Sequence, residues 1–221
     1  RLTVLGQLES APYVTLSKRV MALFGKTTEG LAVSGECFHS PGKQSVEGDW
    51  SNAAFFLAAK ALGSAIQVEN LNLDSAQGDR VCFTLLPELV KEQRAICAAD
   101  IPDLVPILSV VAAAAHGAVF TNIHRLRLKE SDRVESVIQM LNDLGGKAEA
   151  VGDTLRVYGT GLTGGTVDSR NDHRIAMSAA IASTVCSKCV TILGAECTEK
   201  SYPSFFGEFK RLGGSYEQHL R

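Results

Sequence analysis

The sequence predicts an α/β (α+β) fold of pseudo-symmetric βαβαββ repeats, with buried apolar helices and sheets outside or between them. Three observations lead there. Asp49, Asp103 and Asp172 each stand at the head of an Ala-rich, strongly apolar segment. Each segment is followed by a short strand-like run, a polar turn and a second helical run; the turns are Gln77-Gly-Asp-Arg80, Lys129-Glu-Ser-Asp-Arg133 and Glu199-Lys-Ser-Tyr-Pro203. The Ala-rich segments are apolar nearly all round, which suits burial rather than a single wet face. Self-similarity at this spacing sets an architecture before any single motif does.

Taken in order, residues 1–5 read as a strand. Ser10-Ala-Pro-Tyr13 then turns into a helix with apolar Val14, Leu16, Val20, Met21, Leu23 and Phe24, stopped at Gly25. Residues 31–35 form a short strand and 42–48 a polar connection. Asp49-Trp-Ser-Asn opens a helix over 53–62, stopped at Gly63, and 66–68 reads as a strand. The turn at 77–80 leads into a helix over 81–90. Asp100-Ile-Pro-Asp103 opens the helix 104–115, and 119–123 is a strand. Residues 155–158 form a strand before the Gly-rich turn 159–165. Asn171-Asp-His-Arg174 opens the helix 175–184; 190–193 is a strand, and 205–212 a helix stopped at Gly213-Gly214. Each Asp falls at an N-cap or first-turn position. Asp49 and Asp103 lie 54 positions apart and Asp103 and Asp172 lie 69 apart, so the first unit is 15 residues shorter. A hairpin is expected to be missing between Val90 and Asp100.

Composition narrows the function. The chain has 221 residues, 22 Lys plus Arg and 24 Asp plus Glu, for a net charge of −2. That balance argues against a general nucleic-acid or membrane surface, so anion binding has to come from local clusters. No stretch reads as a signal peptide, and the most apolar run, 107–115, is too short to span a bilayer. The six cysteines sit in a chain large and apolar enough to need no disulfide scaffold. Cys186-Ser-Lys-Cys189 has neither a second pair nor a His cluster beside it; Cys186 is expected to end a helix and Cys189 to begin a strand. A reduced, cytoplasmic protein is expected, and nothing in the sequence requires a metal or cofactor.

The richest stretch is Arg125-Leu-Arg-Leu-Lys-Glu-Ser-Asp-Arg133. Leu126 and Leu128 alternate with cations, the pattern of a half-buried strand. Val134, Val137, Ile138 and Leu141 then recur at helical spacing, so a strand delivers a charged turn that opens a helix. Backbone N–H groups at a helix start with fixed cations beside them form an anion site. Packed with pseudo-symmetry, the helix starts and turns converge Asp103, Lys129, Glu130, Arg133, His173, Arg174 and Lys200 on one face. Cations there suit phosphate and carboxylate groups, and carboxylates among them suit proton transfer. Each residue also has an ordinary role open to it: Asp103 as an N-cap, Glu130 complementing a helix dipole, His173 as a core histidine, Arg174 and Lys200 as surface charges, Tyr13 as a packing staple. The set carries the argument, because different reactive side chains recur at equivalent positions.

The charged stretch, with Asn171-Asp-His-Arg-Ile-Ala-Met177, Lys200-Ser-Tyr-Pro203 and Val46-Glu-Gly-Asp49, closely resembles the 5-enolpyruvylshikimate-3-phosphate synthase family, over essentially the whole chain. The resemblance implies an enolpyruvyl-transferase lobe of three repeat units. It also implies transfer of enolpyruvyl from phosphoenolpyruvate to the 5-hydroxyl of shikimate 3-phosphate, with release of phosphate. That step belongs to the shikimate pathway of aromatic amino-acid biosynthesis, and the family is the target of glyphosate. By resemblance Asp103 serves as base at the hydroxyl, Glu130 protonates the phosphoenolpyruvate methylene, and His173 tunes or shares in proton transfer. Lys129 and Tyr13 resemble contacts on the shikimate side, and Arg133, Arg174 and Lys200 the phosphoenolpyruvate clamp. Residues 1–49 resemble the tail of the first lobe and 50–221 the second, so the N-terminal half of the enzyme is an expected partner and this chain alone is expected to be inactive. Where many members carry Asn, this chain has Arg125. The UDP-N-acetylglucosamine enolpyruvyl transferases share the fold and chemistry and are the rival enzyme. A non-catalytic phosphate-binding repeat module is the rival of another class.

Overall fold

The computed structural model describes residues 3–5, 8–35 and 37–219. Three apolar helices form its centre: α2 (Trp50–Ala61), α4 (Val105–Ala114) and α6 (His173–Ala182). They pack against one another in all three pairings. Every residue of α6 is buried, as are Val105 through Ala113 of α4. Alanine makes this possible, since small side chains let helix axes approach closely while leaving few rotamers to freeze.

The other elements wrap this trio. α1 (Ala11–Leu23) is followed by a minimal hairpin, β1 (Thr28–Glu29) and β2 (Ala32–Val33), turning at Gly30. A 3₁₀ turn, Gly78–Val81, leads into α3 (Cys82–Leu89). One sheet has the order β3-β4-β6-β5, from β3 (Arg94–Cys97), β4 (Ala118–Thr121), β5 (Lys147–Val151) and β6 (Thr154–Tyr158). Its β3–β4 pair is parallel and its other two pairs are antiparallel. α5 (Arg133–Asp143) packs on β5 and on β7 (Thr166–Asp168), which pairs in parallel with β8 (Thr191–Leu193). α7 (Phe205–Arg211) closes the fold, with Phe205 in edge or tilted contact with Phe55, Phe56, Tyr202 and Phe206. Buried helices with sheets on the outside are the predicted class. Between Arg80 and Asp100 the chain makes one strand, β3, where the following unit makes β5, β6 and β7.

Several expectations are corrected. Residues 124–128 form a 3₁₀ turn, His124–Leu128, rather than a strand. With about three residues per turn, positions i and i+2 cannot share a face, and Leu126 is fully buried while Leu128 is 82% exposed. Residues 66–68 alternate in exposure as a strand would but pair with no neighbouring strand. The strand expected over residues 1–5 falls partly outside the described residues, and residues 3–5 are not in a strand. Cys186 and Cys189 both lie in the connection between α6 and β8, because α6 ends at Ala182 and β8 begins at Thr191. β1, β3, β5 and β7, two to five residues long, went unread.

Among the described residues the hydrophobic core begins at Trp50. α1 contributes no buried residue, and Val20, Leu23 and Phe24 on it or at its end are exposed. No described helix is long and apolar enough to cross a membrane.

Candidate active site

The three aspartates at the heads of the central helices divide their labour. Asp49 caps α2, accepting from Ser51 N at 2.8 Å, and Asp172 caps α6, accepting from Arg174 N at 3.0 Å. Asp103 caps nothing: Leu104 holds the N-cap position of α4, with no side-chain cap. Pro106 near the helix start reduces the need for one, since proline has no N–H to satisfy. The Asp103 carboxylate is thereby free to face cations.

Those cations arrive from two turns and two helix starts. Asp132 caps α5 through Glu135 N at 3.2 Å, which places Arg133 at the first helical position, its side chain fully buried. One guanidinium then binds three carboxylates. Nε donates to Asp172 Oδ2 at 2.9 Å, Nη1 to Asp103 Oδ1 at 2.8 Å and Nη2 to Glu130 Oε2 at 2.6 Å. Ser131 Oγ donates to Asp172 Oδ2 at 3.1 Å. Lys129 Nζ lies 3.2 Å from Asp103 Oδ1, and Arg174 Nη2 3.3 Å from Asp103 Oδ2. Lys200, from the 3₁₀ turn Ala195–Lys200, reaches Glu130 Oε1 at 3.3 Å. The Tyr13 hydroxyl, on α1, donates to Asp103 Oδ2 at 3.1 Å.

Four cations thus meet three carboxylates, leaving the cluster one charge positive. Arg174 Nη1 is buried without a partner, a donor ready for an anion. Burial pushes the Asp103 carboxyl up, but Arg174, Lys129 and Arg133 outweigh it and hold the group well below the usual carboxylate range. Glu130 is likewise lowered: burial opposes, and its own backbone amide, Arg133 and Lys200 prevail. Burial and the Asp103 charge push the Tyr13 phenol well above its ordinary value, so Tyr13 is a neutral donor. His173 lies buried beside the cluster with Nδ1 unpartnered, and burial and Arg174 lower its pKa, favouring the neutral ring.

All eight predicted site residues therefore lie in or against one cluster, seven of them joined by hydrogen bonds or ion pairs and His173 adjacent. Two groups escaped the sequence reading. Asp172 was read as a helix opener, and nothing in a cap signature reveals that the same carboxylate anchors Arg133. Asp79 is 3% exposed, accepts a hydrogen bond from Ser51 Oγ and leaves Oδ1 unpartnered. Burial pushes it up to about 6, with the Ser51 bond opposing. Its signal was available, since it sits in the first unit's turn at the place matching the charged turn of the second.

The EPSP synthase (3-phosphoshikimate 1-carboxyvinyltransferase) family model matches residues 1–89 and 87–209. The 3-phosphoshikimate 1-carboxyvinyltransferase of Clostridium perfringens (strain 13 / Type A) is 39% identical over 238 residues, covering 97% of this chain and 56% of the relative. That of Clostridium acetobutylicum is also 39% identical, covering 98% and 56%. A solved structure of EPSP synthase from Acinetobacter baumannii superposes with a TM-score of 0.73 at 26% identity, over 91% of this chain and 55% of that one. The enolpyruvyl transferase NikO from Streptomyces tendae, at 15% identity and a TM-score of 0.66, shares the fold. The chain spans about half the length of the curated relatives it matches. A charged turn and the aspartates at the heads of two central helices converging on one guanidinium, over a length that the family model covers almost throughout, place this chain in the EPSP synthase family.

Proposed function

We propose that this chain supplies one wall of an active site that transfers enolpyruvyl from phosphoenolpyruvate to the 5-hydroxyl of shikimate 3-phosphate and releases phosphate. The observation that carries the reading is the placement of Asp103 and Glu130 at the two terminal nitrogens of Arg133, each also facing a lysine. Addition to an enol phosphate needs a base at the attacking hydroxyl and an acid at the methylene carbon; elimination of phosphate then reverses both transfers. Asp103 takes the first role and Glu130 the second. Arg174, Lys200 and Arg133 hold the phosphate and carboxylate of phosphoenolpyruvate, and Lys129 and Tyr13 face shikimate 3-phosphate. Neutral His173 beside Arg174 adjusts the clamp. Fixed charges of this kind act without reorganising during the reaction.

Residues 1–49 belong, on this reading, to the first lobe, and 50–221 form the second with its first unit shortened. The absence of any described core residue before Trp50 and the exposed apolar side of α1 support that division. The N-terminal half of the enzyme completes the cleft, and the site of action is the cytoplasm. Phosphate release from phosphoenolpyruvate plus shikimate 3-phosphate tests the proposal, with the chain alone and then with the N-terminal half added in trans. Turnover on addition supports it. Silence in both cases, with both halves folded, overturns it.

A further inference from the structure

Arg125, the residue that departs from the family pattern, does not point its charge at the carboxylate cluster. Its Nη1 donates to Ser10 Oγ, and its Nε faces Glu9 Oε2 at 3.6 Å. Glu9 Oε1 lies 3.0 Å from His124 Nε2. His124 is itself moored to the β5–β6 turn, its backbone N donating to Asp153 Oδ1 at 2.7 Å. Ser10 stands at the N-cap of α1 with φ +53° and makes no cap bond; its hydroxyl accepts from Arg125. The duty passes to Asp100, whose Oδ1 accepts from Ala11 N at 3.1 Å. The Ser10 carbonyl accepts from Tyr13 N at 3.1 Å, and one turn on, the Tyr13 hydroxyl meets Asp103.

We infer that Arg125 is a positioning residue: it clasps the head of α1 through Ser10 and Glu9, and so holds Tyr13 against Asp103. α1 buries no side chain of its own, and in its first turn Pro12 packs closely against Gly78 beside the polar contacts. The polar contacts at Glu9, Ser10, Ala11 and Tyr13 set that position, and Arg125 supplies two of them. A guanidinium suits the task, since its fork can serve a hydroxyl and a carboxylate at once. The importance of the clasp for turnover rests on the proposed function; its geometry does not.

The test uses this chain carrying ¹³Cζ-labelled tyrosine, with Tyr13→Phe assigning one of the four tyrosine resonances. In the unsubstituted chain the Tyr13 signal should titrate well above the ordinary tyrosine range. In Arg125→Ala and in Ser10→Ala it should fall toward the unperturbed value of about 10, with Arg125→Lys intermediate. Fluorescence of the single, fully buried Trp50 confirms that each variant is folded. Should Arg125→Ala unfold, Ser10→Ala carries the test, because it removes one partly exposed hydroxyl. A Tyr13 titration unchanged in both variants overturns the clasp. So does an unchanged titration with inorganic phosphate binding weakened tenfold or more in Arg125→Ala, which would make Arg125 a substrate contact. If the reassembled halves show no turnover, the functional reading fails while the Tyr13 signal still decides the clasp.

Discussion

Arg133 Nη1 and Asp103 Oδ1 are 2.8 Å apart, and that same oxygen is 3.2 Å from Lys129 Nζ. A carboxylate held this tightly is a poor base, because cations stabilise its charged form. The same holds for Glu130 as an acid, since Arg133 and Lys200 favour its ionised state. An anion drawing Arg174, Lys200 or Arg133 toward itself weakens these pairs and lets both carboxyls rise toward working values. Anion binding should therefore be coupled to proton uptake. Calorimetric titration of inorganic phosphate near pH 5, in buffers of differing ionisation enthalpy, should give heats that report net proton uptake. Buffer-independent heats would show that the carboxylates stay paired in the complex.

Removing Arg133 should damage the fold and not only the chemistry. Arg133→Met leaves Asp172, fully buried, without its charge partner and takes a cation from Asp103 and Glu130. Breaking a buried pair from one side costs about 3–5 kcal/mol. Lys200→Met removes one contact from a side chain 62% exposed and should change stability by less than about 1 kcal/mol. Urea unfolding of the two variants should separate them by several kcal/mol, and equal midpoints would contradict the central role given to the guanidinium.

Asp79 gives a pH signature of the opposite kind. Its folded pKa is raised from 3.8 to about 6, so the native state holds a proton that the unfolded chain has released. Between about pH 4 and pH 6 stability attributable to this group falls as pH rises, and above pH 6 it stays lost. Two units correspond to about 3 kcal/mol as an upper bound. Asp79→Asn keeps an oxygen acceptor for Ser51 and cannot ionise. The difference in unfolding free energy between variant and parent should widen in the variant's favour across that window and level off above it. A difference independent of pH would show that Asp79 is solvated.

How much of this could be read from residues alone follows from the range of each interaction. Helices α2, α4 and α6 were legible because each is Ala-rich and apolar on most sides, which leaves one way to be buried. The site residues were legible because the repeat aligned three turns. The 3₁₀ path of residues 124–128 was not, since Leu126 and Leu128 fit a strand's alternation equally well until Leu126 finds the core. Nor was the contrast between Asp103 and its two capping counterparts. Both uses of a carboxylate begin at a helix head, and only the arrival of Arg133, thirty residues on, separates them. The clasp on Ser10 joins positions 115 residues apart and has no local signature.

Gly78 gives a way to loosen α1 without touching a charge. A Cβ there would stand 2.9 Å from both Cβ and Cγ of Pro12 and 3.1 Å from the Asp100 carbonyl oxygen. The proline ring cannot swing aside as a long side chain could, so Gly78→Ala must push the first turn of α1 outward. That movement strains the bond from Ala11 N to Asp100 and the reach of Tyr13 to Asp103. Trp50 is tied to the neighbouring Gln77 through its backbone N, but the atoms nearest to the new Cβ belong to Pro12 and Asp100 and not to the core, which should keep its packing. Hydrogen exchange should then show lost protection confined to residues 11–23, with the amides of α2, α4 and α6 unchanged. Faster exchange throughout would mean that the α1 contacts support the whole fold, and unchanged exchange in α1 would mean that its first turn can shift without losing its hold.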